Sequence, residues 1–174
     1  MSTNVYLEIT GEDGKKFEGN STAKGHEKKI EVVSWSHGFS QPTTAATKST
    51  DQQATSRANH SDLSFTKFFD NASDDILKAC WTGAQAKTAI FQCFRSSGAD
   101  DTGASTLYLQ ITLEDLILSH YSISGGGDEL PIENVTLNYT KCEYQFIPVD
   151  SETGKAEAGK KVAVSHDLST NTIA

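Results

Sequence analysis

Apolar and polar residues alternate along most of this chain, the period of half-buried β-strands. Val5, Leu7 and Ile9 alternate with Tyr6, Glu8 and Thr10, and GEDGKK then makes a turn. Residues 20–29 are polar and read as loop. Ile30 to Phe39 is extended, with Trp35 and Phe39 on one side of the pleat and Ser34, Ser36 and Gly38 on the other. Leu63, Phe65, Lys67 and Phe69 share a face, and Ala86 to Phe94 continues the pattern. Leu107, Leu109, Ile111 and Leu113 alternate strictly, after which Leu116 and Leu118 take the apolar positions across Glu114-Asp115. A slip of that kind marks a β-bulge or a sharp bend. Val135, Leu137 and Tyr139 open a strand running toward Phe146, DSETGKAEAGKK reads as a turn, and VAVSHDL is the last strand.

Two segments depart from this rhythm. Ser73 stands where an N-cap belongs, Asp74 and Asp75 fill the first turn, and Gly83 lies where a left-handed C-terminal residue is expected. Between them Ile76, Leu77, Cys80 and Trp81 recur at helical spacing, which predicts a helix over about 73–82 that lays this stripe on a sheet. Pro42 opens the other segment, small polar residues to Asn59, an uncommon length for a connection inside a compact domain and one associated with function. Many short strands and one helix predict a single β-barrel or sandwich domain over 1–174, with a C-terminal hairpin and tail over about 147–174.

A net charge of −8 with scattered lysines argues against nucleic acid or an anionic membrane surface as partner. No stretch approaches the roughly 20 apolar residues of a membrane span, and the start has neither the basic nor the apolar part of a cleaved leader. Cys80, Cys93 and Cys142 are odd in number and far apart, which suits free thiols in a reducing compartment.

The sequence displays no motif that carries chemistry. Gly125-Gly126-Gly127 lacks the Lys and Ser/Thr of a phosphate loop. His60-Ser61-Asp62 has the residue types of a triad, yet neighbours on a strand point to opposite faces. His26, His37, His60, His120 and His166 show no short ligand spacing and read as separate surface or packing residues. No catalytic, cofactor or metal residue is predicted, and no enzyme.

Four segments in order resemble the haemolysin-coregulated proteins, the Hcp family of bacterial type VI secretion. They are Ile30-Glu31-Val32 with Ser34-Trp35-Ser36-His37-Gly38-Phe39-Ser40-Gln41-Pro42; Asp62-Leu63-Ser64-Phe65-Thr66-Lys67 with Asp70, Ser73, Leu77 and Ala79-Cys80; Tyr121-Ser122-Ile123-Ser124-Gly125 with Glu133-Asn134-Val135-Thr136-Leu137-Asn138-Tyr139; and Tyr144, Phe146 and Pro148. The resemblance implies a mainly β fold, a tight barrel of two packed antiparallel sheets with one short helix, assembling into a hexameric ring. It implies stacked rings that form the inner tube of a contractile, phage-tail-like machine, with a VgrG-type spike, a sheath and secreted effectors chaperoned in the lumen. The protein would be made in the cytoplasm and expelled. Ser34 and Ser36 are the expected lumen-lining residues, and the segment 42–59, including Thr43, Thr44, Lys48, Asp51, Gln52 and Arg57, the expected ring-stacking loop, mobile until rings stack. Ile147 to Ala174 is too short for a fused toxin domain. A monomeric carbohydrate- or adhesin-like binding barrel is the alternative, separable by particle size.

Overall fold

The structure, a computed structural model, describes residues 5–45, 56–96 and 105–174. In chain order come β1 (Val5–Gly11), β2 (Ile30–Glu31), β3 (Ser34–Ser36), β4 (Phe39–Ser40), β5 (Asn59–His60), β6 (Leu63–Phe68), α1 (Ser73–Thr82), β7 (Gln85–Ser96), β8 (Ser105–Ser124), β9 (Ile132–Phe146), β10 (Val162–Asp167) and β11 (Thr172–Ile173). Every pairing is antiparallel. The main sheet runs β11-β10-β9-β8-β7-β1-β2, with β6 and then β3 branching from β9, while β4 and β5 form a separate ribbon.

The long strands β8 and β9 belong to two layers at once. Residues 141–146 of β9 pair with β10, and residues 132–137 of the same edge pair with β6. The layers close face to face on one core: Phe65 of β6 meets the edge of Phe91 of β7, ring centres 5.6 Å apart. Leu7, Ile9, Ile111, Leu113, Val135 and Leu137 surround that contact. Burial of these side chains, about 1.5–3 kcal/mol each, is what holds the layers together.

The slip after Leu113 is a bend without an inserted residue. Ala86, Leu116 and Tyr139 pair in register, and so do Ala89, Leu113 and Cys142. All six are buried. Two residues separate the buried positions in each of the three strands, so β7, β8 and β9 invert their pleat in step. Asp115 supplies the bend with a left-handed φ of 49°. The register shifts of this strand lie elsewhere, at Tyr108 opposite the Cys93–Phe94 step and at Ser119 between Leu118 and His120. Asp115→Val, which puts a β-branched side chain at that φ, should cost about 1–2 kcal/mol, while Asp115→Gly stays near neutral. Urea unfolding of the two variants checks this; equal stabilities would remove Asp115 as the hinge.

The helix also differs in detail from its sequence reading. Its cap residue is Ala72, whose N–H donates to Asp70 Oδ1 at 3.0 Å, while Ser73 is already helical and buried. Ser73, Ile76 and Ala79 face the core; Trp81 lies outside, 78% exposed. Gly83 closes the helix at φ 64°.

A buried charge network fixes the start of α1 on the sheet. Lys67 lies fully buried on the core face of β6, between the carboxylates of Glu133 and Asp70. Its Nζ also reaches the Phe68 carbonyl and Ser73 Oγ, both at 3.0 Å. Ser73 Oγ donates to Glu133 Oε2 at 2.8 Å, and the Tyr121 hydroxyl donates to Glu133 Oε1. Burial, then Glu133, raise the Tyr121 phenol pKa, keeping it a donor.

Candidate functional site

The outer face of the smaller layer is the candidate site. In β3, β6, β9 and β8 the side chains alternate between core and surface, and the register aligns them across four strands. Trp35, Phe65, Val135 and Tyr121 form an inward row. On the opposite side of the pleat two rows cross the layer: Ser36, Ser64, Thr136 and His120, and then Ser34, Thr66, Asn134 and Ser122. Together they line a shallow cavity of about 350 Å³.

None of the described residues in these rows carries a carboxylate or an ammonium group. Hydroxyls bond to one another across strands: Ser34 Oγ with Thr66 Oγ1, and Ser64 Oγ with Thr136 Oγ1 at 3.0 Å. Ser34, Ser36, Asn134, His120 and Ser122 are exposed. The surface is wet, neutral and able to donate and accept hydrogen bonds without fixed charge.

Ser34 and Ser36 thus stand on this face. Ser64, Thr66, His120, Ser122, Asn134 and Thr136, not singled out from the sequence, join them. The signal was available for Ser64, Thr66, Asn134 and Thr136, which alternate with Phe65 and Val135, whereas period two continued from Leu118 sends His120 and Ser122 inward and only the bulge at Ser119 turns them out. Thr43, Thr44 and Arg57 are exposed at the two ends of the 42–59 segment, where Gln41 Nε2 donates to the Ser56 carbonyl. Lys48, Asp51 and Gln52 lie outside the described residues.

Three histidines read separately in the sequence meet near the gap between β6 and β10 along β9. His37 bonds the hydroxyls of Tyr144 and Tyr139, His60 bonds Tyr139 and His166, and His166 bonds Asn171. Burial, with His60 nearby, lowers the His37 pKa to about 4, and burial with His166 nearby lowers that of His60. His60, Ser61 and Asp62 form no relay, because Asp62 accepts from Ser119 Oγ and Asn138 Nδ2, both at 2.8 Å. Among the described residues no group of three or more His, Cys, Asp or Glu is placed to hold a metal ion. The three cysteines are unpaired, and burial pushes the Cys142 thiol up to about 12.

The model of the family described as "Type VI secretion system effector, Hcp" matches residues 6–146. The chain belongs to the Hcp family. It is 32% identical over 159 residues to Protein hcp1 of Pseudomonas aeruginosa, covering 89% of this chain and 90% of that protein. Among solved structures, a type six secretion system protein superposes with a TM-score of 0.80 at 27% identity, covering 99% of this chain and all of the other. Hcp1 of E. coli EAEC 042, in a mutant form, superposes at 0.76 and 24% identity over 96% of this chain and 99% of that one. The mainly β fold with one helix is the Hcp fold. Its role is that of a type VI tube protein, a structural and secreted component. Among the described residues no helix is long and apolar enough to cross a membrane.

Proposed function

We propose that this Hcp protein closes into a hexameric ring whose channel is walled by the hydroxyl rows of β3, β6, β9 and β8. The rings stack into the tube expelled beneath a VgrG-type spike by a contracting sheath, with secreted effectors held in the lumen. The protein acts as scaffold and carrier, without catalysis.

One observation carries this reading: the layer that bears the polar rows has two open edges. Among the described residues β3 pairs only with β6, and β8 beyond Ile117 pairs only with β9. Unpaired edges are templates for another strand. Different edges at the two sides favour a head-to-tail contact, which closes into a ring if the rotation closes. Edge-to-edge closure would make the hydroxyl rows continuous around a channel. The exposed Thr43, Thr44 and Arg57 at the ends of the 42–59 segment suit contacts with the next ring.

The purified protein should elute near six times 18.8 kDa and show annular particles with an open centre by electron microscopy. A single compact particle at every concentration would overturn the proposal. Ser36→Arg should keep the ring and lower retention of a secreted effector by roughly tenfold or more, the loss of about 1.4 kcal/mol at a contact surface. Disassembly of the ring by this variant would place Ser36 in a subunit contact instead.

A further inference from the structure

The histidine cluster is a chain of hydrogen bonds that can run in only one direction while all its members are neutral. Asn171 Oδ1 only accepts, so His166 Nε2 carries its proton and donates over 3.2 Å. His166 Nδ1 is then an acceptor, and His60 Nε2, 2.8 Å away, must donate to it. His60 Nδ1 accepts from the Tyr139 hydroxyl at 2.8 Å. Tyr139 in turn accepts from His37 Nε2 at 2.6 Å, and His37 Nδ1 accepts from the Tyr144 hydroxyl at 2.5 Å. All three imidazoles are therefore Nε2–H tautomers.

We propose that the His60–His166 junction is an acid-released latch that fastens the β10–β11 hairpin and the β4–β5 ribbon to the barrel wall at β9. His60 belongs to β5, His37 precedes β4, Tyr139 and Tyr144 stand on β9, and His166 and Asn171 belong to the hairpin. The junction between two imidazole nitrogens needs one hydrogen, no more and no fewer. One added proton can be absorbed if the whole chain reverses, each histidine bond swapping donor and acceptor as far as Tyr144. A second leaves either two N–H groups facing each other or a Tyr139 hydroxyl hydrogen with only the weakly accepting Cys142 Sγ to turn to.

Apart from the Ser61 carbonyl, which accepts from His37 and favours its charged form, the surroundings offer little compensation. Tyr139, Tyr144 and Cys142 face the cluster from β9, all held protonated by burial. Asp62, near His37, is occupied by Ser119 and Asn138, and Asp167, next to His166, by Ser169 and Thr170. Phe39 caps the assembly, its ring centre 4.5 Å from that of His37 and 4.8 Å from that of His60.

The sign follows from proton counting. Once released, three histidines titrate near about pH 6.5 and bind up to three protons. The latched state binds at most one. Release is therefore favoured as pH falls below about 6.5, with a limiting slope of two protons, about a hundredfold in the open-to-closed ratio per pH unit. The latch is complete above that range.

The test is amide hydrogen exchange on the full chain, corrected for the intrinsic rate, between about pH 7.5 and about pH 5. Protection of the Ser165 and Ala174 amides, which bond each other's carbonyls across the hairpin, and of Ser61, which bonds Gly38, should fall at least about tenfold. Ile90 and Phe91 in β7 should keep theirs. His60→Phe, which retains the ring and removes both nitrogens, should abolish this pH dependence. Imidazole nitrogen spectra of the unaltered protein at about pH 7.5 should show Nε2–H tautomers at His37, His60 and His166. Unchanged protection at about pH 5, a pH dependence that survives in His60→Phe, or an Nδ1–H tautomer at any of the three would each overturn the latch. Should that variant not fold, the tautomers and exchange of the unaltered protein still decide.

Discussion

Lys67→Met should lower the stability of the fold by about 3–5 kcal/mol, because it removes the cation from a buried site and leaves two carboxylates behind. Lys67 and Glu133 have fully buried side chains and Asp70 is 10% exposed, so none of the three can turn to water where it stands. Methionine fills nearly the same volume, which isolates the electrostatic loss from a packing loss. Adding Glu133→Gln should recover about half of the loss or more, since the amide can still bond Ser73 and Tyr121 and only one carboxylate remains. The readout is the urea midpoint of the two variants and the parent. A Lys67→Met protein as stable as the parent would show that the ion pair contributes nothing net.

This network shows what could and could not be read from the sequence. Period two placed Lys67 on the same face as Leu63 and Phe65, and that face is the core. Its partners come from a loop, a helix start and a strand some sixty residues away, so nothing in the local pattern joined Lys67 to Glu133. The same limit hid the histidine chain. His37 lies 107 residues from Tyr144 and His60 lies 106 from His166; the pairing of β3 through β6 with β9 brings the first two histidines to this wall, and that of β10 with β9 sets His166 beside them. The hydroxyl rows are the opposite case. Once Trp35, Phe65 and Val135 are assigned inward, alternation alone sends Ser34, Ser36, Ser64, Thr66, Asn134 and Thr136 outward, and only their mutual alignment needs the register.

The outward turn of Trp81 has a simple physical cause. Hydrophobicity suggested Trp81 as an anchor, whereas β8 approaches the helix on the side of Ile76 and Ala79. A close approach favours the small side chain, and Trp81 is turned to the surface, where in isolation this needs no explanation. The inverted pleat was half legible. The sequence shows the slip in β8 at Glu114-Asp115, but its synchrony with Lys87-Thr88 and Thr140-Lys141 appears only when the three strands are set side by side.

Phe65→Ala should cost about 3–5 kcal/mol, and its consequences should reach the face that carries the hydroxyl rows. The ring of Phe65 is 1% exposed and is the contact through which β6 meets Phe91 across the core. Ser64 and Thr66, its immediate neighbours, carry the centre of the two hydroxyl rows. Emptying this position leaves a cavity directly beneath them and loosens the one strand that joins β3 to β9. Amide protection should therefore fall most in β3 and β6, and much less in β1 and β7, whose own pairings are intact. Phe65→Leu, which keeps most of the volume, should lose no more than about 1.5 kcal/mol. If the ring closes through the outer edge of β3, the alanine variant should also assemble less completely than the leucine one at equal concentration, which sedimentation would resolve. A uniform loss of protection across both layers would mean that they unfold as one unit and that the face has no separate stability to lose.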